Sequence, residues 1–136
     1  MVAKIAVAAV VLLASLSTIA SALDRNDVYY QRGEEDPAIA TERSAWLGAL
    51  EWCESQGNPK AINPRDSDGT PSYGLLQFKP STYAEFAKLY GLASTTDYMN
   101  PIEQIQIVEH MIIDNRVNLH HQFPACVAHI GMPPKE

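Results

Sequence analysis

The chain has 136 residues, with 10 Lys+Arg against 16 Asp+Glu and a formal net charge of −6 at pH 7. That length suits one domain. The acidic balance argues against a nucleic-acid binder, which would show a basic stripe, and against electrostatic capture by an anionic envelope polymer, so such a partner would have to be held in a local groove.

The first 22 residues read as a secretion signal. Lys4 precedes an uncharged apolar run from Ile5 to Leu16, and Ala20-Ser21-Ala22 has the A-x-A form of a signal-peptidase site. A retained membrane anchor is the alternative, but the run is short for a bilayer span. Cleavage would remove 22 of the 136 residues and leave 114, enough for one core, with 9 Lys+Arg against 16 Asp+Glu. The expected location is extracellular or periplasmic, with no membrane attachment after cleavage. Residues 23–36 are polar and charged and read as a linker or loose arm.

A helix is predicted from Pro37 to about Ser55. Asp36 suits the N-cap, Pro37 the first helical position, and Gly57 with Asn58-Pro59 the stop. The stretch Ala61–Phe78 is rich in Pro, Gly, Asp and Ser before it turns apolar. Asp68-Gly69 is a turn signal, so a small β-hairpin is expected here. A second helix is predicted after Pro80, with Thr82 and Glu85 as a T-x-x-E capping box and Gly91 as the stop. A third starts at Asn100-Pro101, with Glu103 completing another capping pattern. Its apolar set is Ile102, Ile105, Val108, Met111, Ile112 and Ile113, which makes it the central helix. The domain is expected over 37–130, with a C-terminal tail at 131–136. The fold class is α+β, mostly α.

Cys53 and Cys126 are the only cysteines. In an exported chain an isolated pair usually forms a disulfide; two separate buried thiols are the alternative.

On a helical wheel with Trp46 at zero, Leu50 falls at about 40°, Leu47 at about 100° and Cys53 at about 340°. Glu54 falls at about 80°, inside this apolar arc. Burial there would favour the neutral carboxyl and raise its pKa, as a general acid near neutral pH requires. A Glu in the last turn of a helix can equally bend out to solvent or accept hydrogen bonds from the following loop, and the wheel does not separate these readings.

The order of motifs from Cys53 to Thr82 resembles the lysozyme-like superfamily. Glu54-Ser55, Asn58-Pro59, Gly74-Leu75-Leu76-Gln77 and Pro80-Ser81-Thr82 are similar to the soluble lytic transglycosylases. Cys53-Glu54-Ser55, Leu76-Gln77-Phe78, Ser81-Thr82-Tyr83, Glu103-Gln104-Ile105 and Phe123-Pro124-Ala125-Cys126 are similar to the resuscitation-promoting factors. The chain departs from that second branch at Tyr83 and Phe123, where tryptophan is usual, and at Leu75, where a second glycine is usual.

The resemblance implies a lysozyme-like fold with a β-hairpin insertion and a disulfide between Cys53 and Cys126. It implies a monomer acting on peptidoglycan glycan strands at the β-1,4 bond between N-acetylmuramic acid and N-acetylglucosamine. Glu54 would be the general acid and then base, without cofactor or metal. Gln77, Tyr73, Gly74 and Asn58 are candidate substrate contacts. Each has a structural alternative: a buried Gln, a packed Tyr, a close backbone approach and a helix-end cap.

Hydrolysis, unlike transglycosylation, often needs a second carboxylate. Asp66 and Asp68 are the candidates, although turn chemistry explains both. An EF-hand aligned on Gly69 would put Pro64 and Leu75 at ligand positions, which excludes it. His110, His120, His121 and His129 lack zinc-ligand spacing and read as solvated or packing residues. A non-catalytic glycan-binding or envelope-interaction module on the same fold is the competing functional class.

Overall fold

The computed structural model describes residues 36–135. The expected signal segment and the linker up to residue 35 lie outside them. Five helices and one small ribbon follow in order: α1 (Pro37–Ser55), β1 (Ile62–Asn63), β2 (Ser72–Tyr73), α2 (Pro80–Leu89), α3 (Pro101–Ile113), α4 (Leu119–Gln122) and α5 (Pro124–Ile130). This is a mostly helical α+β fold of the lysozyme-like kind. Among the described residues no helix is long and apolar enough to cross a membrane.

Four of the five helices open on proline. Proline suits the first helical position because its φ is already helical and no N–H is left unpaired. Asp36 caps α1 by accepting a hydrogen bond from Ala38 N at 2.8 Å, and Asn100 caps α3 by accepting from Ile102 N at 3.1 Å. The capping box expected at Thr82 and Glu85 does not form. Helix α2 starts at Pro80 with Lys79 as an N-cap that makes no side-chain bond, so Thr82 already lies within its first turn. Glu103 does not close a box either. Its carboxylate instead accepts a hydrogen bond from the Tyr83 hydroxyl and ties α3 to α2.

The core gathers Leu50 from α1, Leu76 and Phe78 beyond the ribbon, Tyr83 from α2, Ile107, Val108 and Met111 from α3, and Phe123 before α5, all buried. The Phe78 ring meets Tyr83 and Phe123 edge-on, with centroids 6.4 and 5.9 Å away. Helix α3 is central, but its inward stripe differs from expectation at the start. Ile102 is 66% exposed, whereas Gln104 is fully buried. The stripe runs through Gln104, Val108, Met111 and Ile112, spaced for one helical face.

Burying Gln104 is favourable because backbone groups of the ribbon need partners. Its Oε1 accepts from Leu76 N at 2.8 Å, and its Nε2 donates to Tyr73 O at 2.9 Å and also to Tyr98 O. One side chain thus satisfies three main-chain groups from two segments, 73–76 and Tyr98. Replacing Gln104 with Leu would leave all three unpaired. The expected loss is about 3 kcal/mol, read as a lower urea midpoint with an unchanged slope; a change below about 0.5 kcal/mol would mean that water replaces these bonds.

β1 and β2 pair antiparallel, with Ile62 opposite Tyr73 and Asn63 opposite Ser72. The connecting turn centres on Asp68-Gly69, where Gly69 has φ +79° and donates to Asp66 O at 2.7 Å. The C-terminal segment is more ordered than its sequence signals indicated. It forms α4 and α5, and beyond them Trp46 Nε1 donates to Gly131 O at 2.8 Å while Pro133 is buried.

Candidate active site

Glu54 sits on the last turn of α1, and the way that helix ends sets its surroundings. Gln56 adopts a left-handed conformation (φ 56°, ψ 32°) and donates to Trp52 O at 2.9 Å, while Gly57 donates to Glu51 O at 3.3 Å. The Gln56–Trp52 bond is that of an αL helix ending, with a glutamine where glycine is usual. It turns the chain away directly after Glu54 and Ser55. Glu54 lies on the side of Leu47 and Leu50 and is half-buried, whereas Trp52, outside the apolar arc, is exposed.

A groove of about 770 Å³ opens beside it. It is lined by Cys53 and Glu54 of α1, by Asp66, Ser67 and Asp68 of the turn, by Gln77 to Lys79 and Thr82, and by His121 to Cys126. Loss of solvent lifts the Glu54 carboxyl from its ordinary 4.5 to about 7, and the Asp66 charge adds to the rise. No hydrogen-bond donor from the described residues reaches Glu54 to offset this. The carbonyl end of α1 is also an unfavourable place for an anion. The site therefore holds a carboxyl that keeps its proton well above the ordinary carboxylate range.

The two turn carboxylates differ in kind. Asp68 is ion-paired with Lys79 Nζ and accepts from Thr70 N and Oγ1 at 2.9 and 2.6 Å. These contacts hold its carboxyl well below the usual range. The Asp66 carboxylate accepts from Ser67 N at 2.7 Å, with Lys79 Nζ at 3.8 Å.

Cys53 and Cys126 are joined in a disulfide with Cα atoms 5.8 Å apart, and both line the groove. The bridge fastens α5 to the end of α1 directly beside Glu54.

Residues 38–128 match the family model described as the transglycosylase SLT domain. The chain belongs to this family. Comparison with curated proteins and with solved structures gives no match. At the family level the SLT domain brings lytic transglycosylase activity on cell-wall peptidoglycan.

Within this SLT domain the expected site residues divide. Glu54, Asp66, Asp68, Gln77, Cys53 and Cys126 meet in the groove. Gln77 reaches it at φ 51°, with its amide tied into the ribbon: Oε1 accepts from Ser72 Oγ at 3.0 Å and Nε2 donates to Gly74 O at 2.8 Å. Tyr73, Gly74 and Asn58 are not among the groove-lining residues. The Tyr73 ring packs on Tyr98 with centroids 5.0 Å apart. Gly74 has φ +81°, and a Cβ there would lie 2.5 Å from Gln104 Nε2, so the glycine admits the Gln104 clamp. Asn58 Oδ1 accepts from Lys60 N at 3.0 Å in the loop after α1.

Sequence reasoning missed Lys79 and His121 as groove residues. Lys79 carries no local signal, because its partners are 11 and 13 positions back along the chain. His121 shows no zinc-ligand spacing, so its sequence context reads as that of a solvated or packing histidine. Among the described residues no cluster of three His, Cys, Asp or Glu side chains is arranged to hold a metal ion.

Proposed function

We propose that this SLT domain is exported and cleaves the β-1,4 bond between N-acetylmuramic acid and N-acetylglucosamine in peptidoglycan, with Glu54 as the sole proton-transfer group. The Glu54 carboxyl donates its proton to the glycosidic oxygen as the bond to C1 of the muramic sugar breaks, and the glucosamine 4-hydroxyl leaves. The carboxylate then takes the proton of the muramic C6 hydroxyl. The C6 oxygen bonds to C1, closing a 1,6-anhydro ring and restoring the acid. Atoms balance without water, so one carboxyl suffices.

The observation that carries the reading is a half-buried Glu54 in a groove, with its carboxyl raised to about 7 and no donor to stabilise the anion. Asp66 acts through Glu54: its negative charge keeps the acid protonated at higher pH.

The test is release of soluble fragments from purified peptidoglycan as a function of pH. Cleavage should fall as pH rises through about 7, where Glu54 loses its proton. Asp66→Asn removes a like charge, favours the anion and should move this limb to lower pH by about one unit, with cleavage retained below it. If Asp66→Asn instead abolishes cleavage at every pH, Asp66 takes part in the chemistry, and the one-carboxyl reading is wrong.

A further inference from the structure

The Asp66–Thr70 turn is one wall of the groove, yet its hydrogen bonds are mostly internal. Asp66 N donates to Thr70 O at 3.1 Å, Gly69 N to Asp66 O at 2.7 Å, and Ser67 N to Asp66 Oδ1 at 2.7 Å. Thr70 bonds to Asp68 through both N and Oγ1. Such a turn is well shaped but has little to hold it against the helices. Among the described residues, its polar tie to the helical body is Lys79. The ammonium contacts Asp68, donates to Thr70 Oγ1 at 2.6 Å and stands 3.8 Å from Asp66 Oδ2. It reaches these three residues from a firm base, since Lys79 is the N-cap of α2 and its carbonyl accepts from Tyr83 N at 2.9 Å.

We infer that Lys79 is a positioning residue for Glu54: by pinning the Asp66–Thr70 turn to the start of α2, it fixes the Asp66 carboxylate opposite the acid. The inference rests on the reading of Glu54 given above. Exposed ion pairs contribute little to stability, so the consequence of this one is geometric. The charged and titratable groups around the groove are Glu54 from α1, Asp66 and Asp68 from the turn, Lys79 ahead of α2 and His121 from α4. The Lys79 cation is shared by two carboxylates, Asp68 and Asp66. The neighbour whose charge does reach Glu54 is Asp66.

Two opposite outcomes therefore follow from removing the ammonium. If Lys79 acted by its own charge, Lys79→Met would raise the Glu54 pKa. If it acts by placement, the turn loosens, water and distance weaken the Asp66 effect, and the pKa falls.

The experiment is a carbon-13 NMR titration of the Glu54 carboxyl, with the His121 ring followed in the same samples so that the two are not confused. The protein is compared with Lys79→Met, Lys79→Arg, Asp66→Asn and the Asp66→Asn/Lys79→Met pair. Lys79→Met should lower the Glu54 midpoint by about one unit, and Lys79→Arg should restore most of it. In the Asp66→Asn background Lys79→Met should shift the midpoint little, because the charge it places is gone. A raised or unchanged midpoint in Lys79→Met, or an equal fall in the Asp66→Asn background, overturns the inference. The titration reads the carboxyl directly, so its result stands apart from whether glycan is cleaved. Loss of the catalytic reading would show as absent cleavage by the unsubstituted protein.

Discussion

Glu54→Gln is expected to lower peptidoglycan cleavage by about 10³-fold or more while leaving the protein folded and able to retain glycan fragments. Gln matches Glu in shape but cannot donate a proton to a leaving oxygen or recover one from the C6 hydroxyl. The same substitution makes a second, independent forecast about stability. The folded-state pKa of Glu54 is raised, to about 7 from 4.5, so the folded protein binds this proton more tightly than the unfolded chain does. Stability therefore declines as pH rises from about 4.5 to about 7 and stays lower above that. Glu54→Gln removes the decline. The variant should be close to the parent protein at pH 4 and more stable by about 3 kcal/mol at pH 8, measured by urea denaturation at both pH values. Gain of stability with loss of activity is the pattern of a site strained for function. A variant equally active at pH 6 would contradict the role given to Glu54. Equal stability at pH 8 would mean that the carboxyl is solvated.

Removing the disulfide should have the largest effect on stability. Cys53 and Cys126 are 73 residues apart, so the bridge closes a long loop in the unfolded chain. The chain-entropy account gives about 4 kcal/mol for a loop of that size. In a domain of this size that is a large share of the total, and a fall in thermal midpoint of more than about 15 °C follows. The Cys53→Ser/Cys126→Ser variant, compared with the oxidised protein in urea, measures it. The loss should also reach function, because Pro124, Ala125 and Cys126 line the groove and are held there by the bond. Cleavage should drop further than the folded fraction does. A double variant with full activity per folded molecule would show that α5 keeps its place by packing alone.

What was legible in the sequence follows from how local each signal is. Asp36-Pro37 and Asn100-Pro101 are local caps, and both helices begin where these residues place them. Trp46, Leu47 and Leu50 lie on one side of a helix whatever surrounds it, so periodicity put Glu54 in their arc, while its burial depends on the groove around it. The hairpin could be read from Asp68-Gly69.

Other features depend on distant partners. Gln104 is buried because Tyr73 and Leu76, 31 and 28 positions away, present unpaired main-chain groups to it. No pattern within α3 announces that, and hydropathy placed Ile102 inward in error. The Thr82–Glu85 box failed because Pro80 already opens the helix two residues earlier, which leaves Thr82 no capping position. Gly74 was read as a site for close backbone approach, and the backbone there is indeed approached closely, by Gln104. Lys79 gains its role when the ribbon folds Asp66, Asp68 and Thr70 back over the start of α2.

The most direct measurement is mass spectrometry of the products that the protein and its Glu54→Gln variant release from purified peptidoglycan. Glu54 as sole acid and base predicts fragments ending in 1,6-anhydro-muramic acid from the unsubstituted protein and none from the variant. Fragments with free reducing ends would contradict the account, because water would then be the nucleophile and Asp66 the group to activate it. Release of nothing by either protein would contradict it more deeply, leaving a glycan-binding module on a lytic transglycosylase fold.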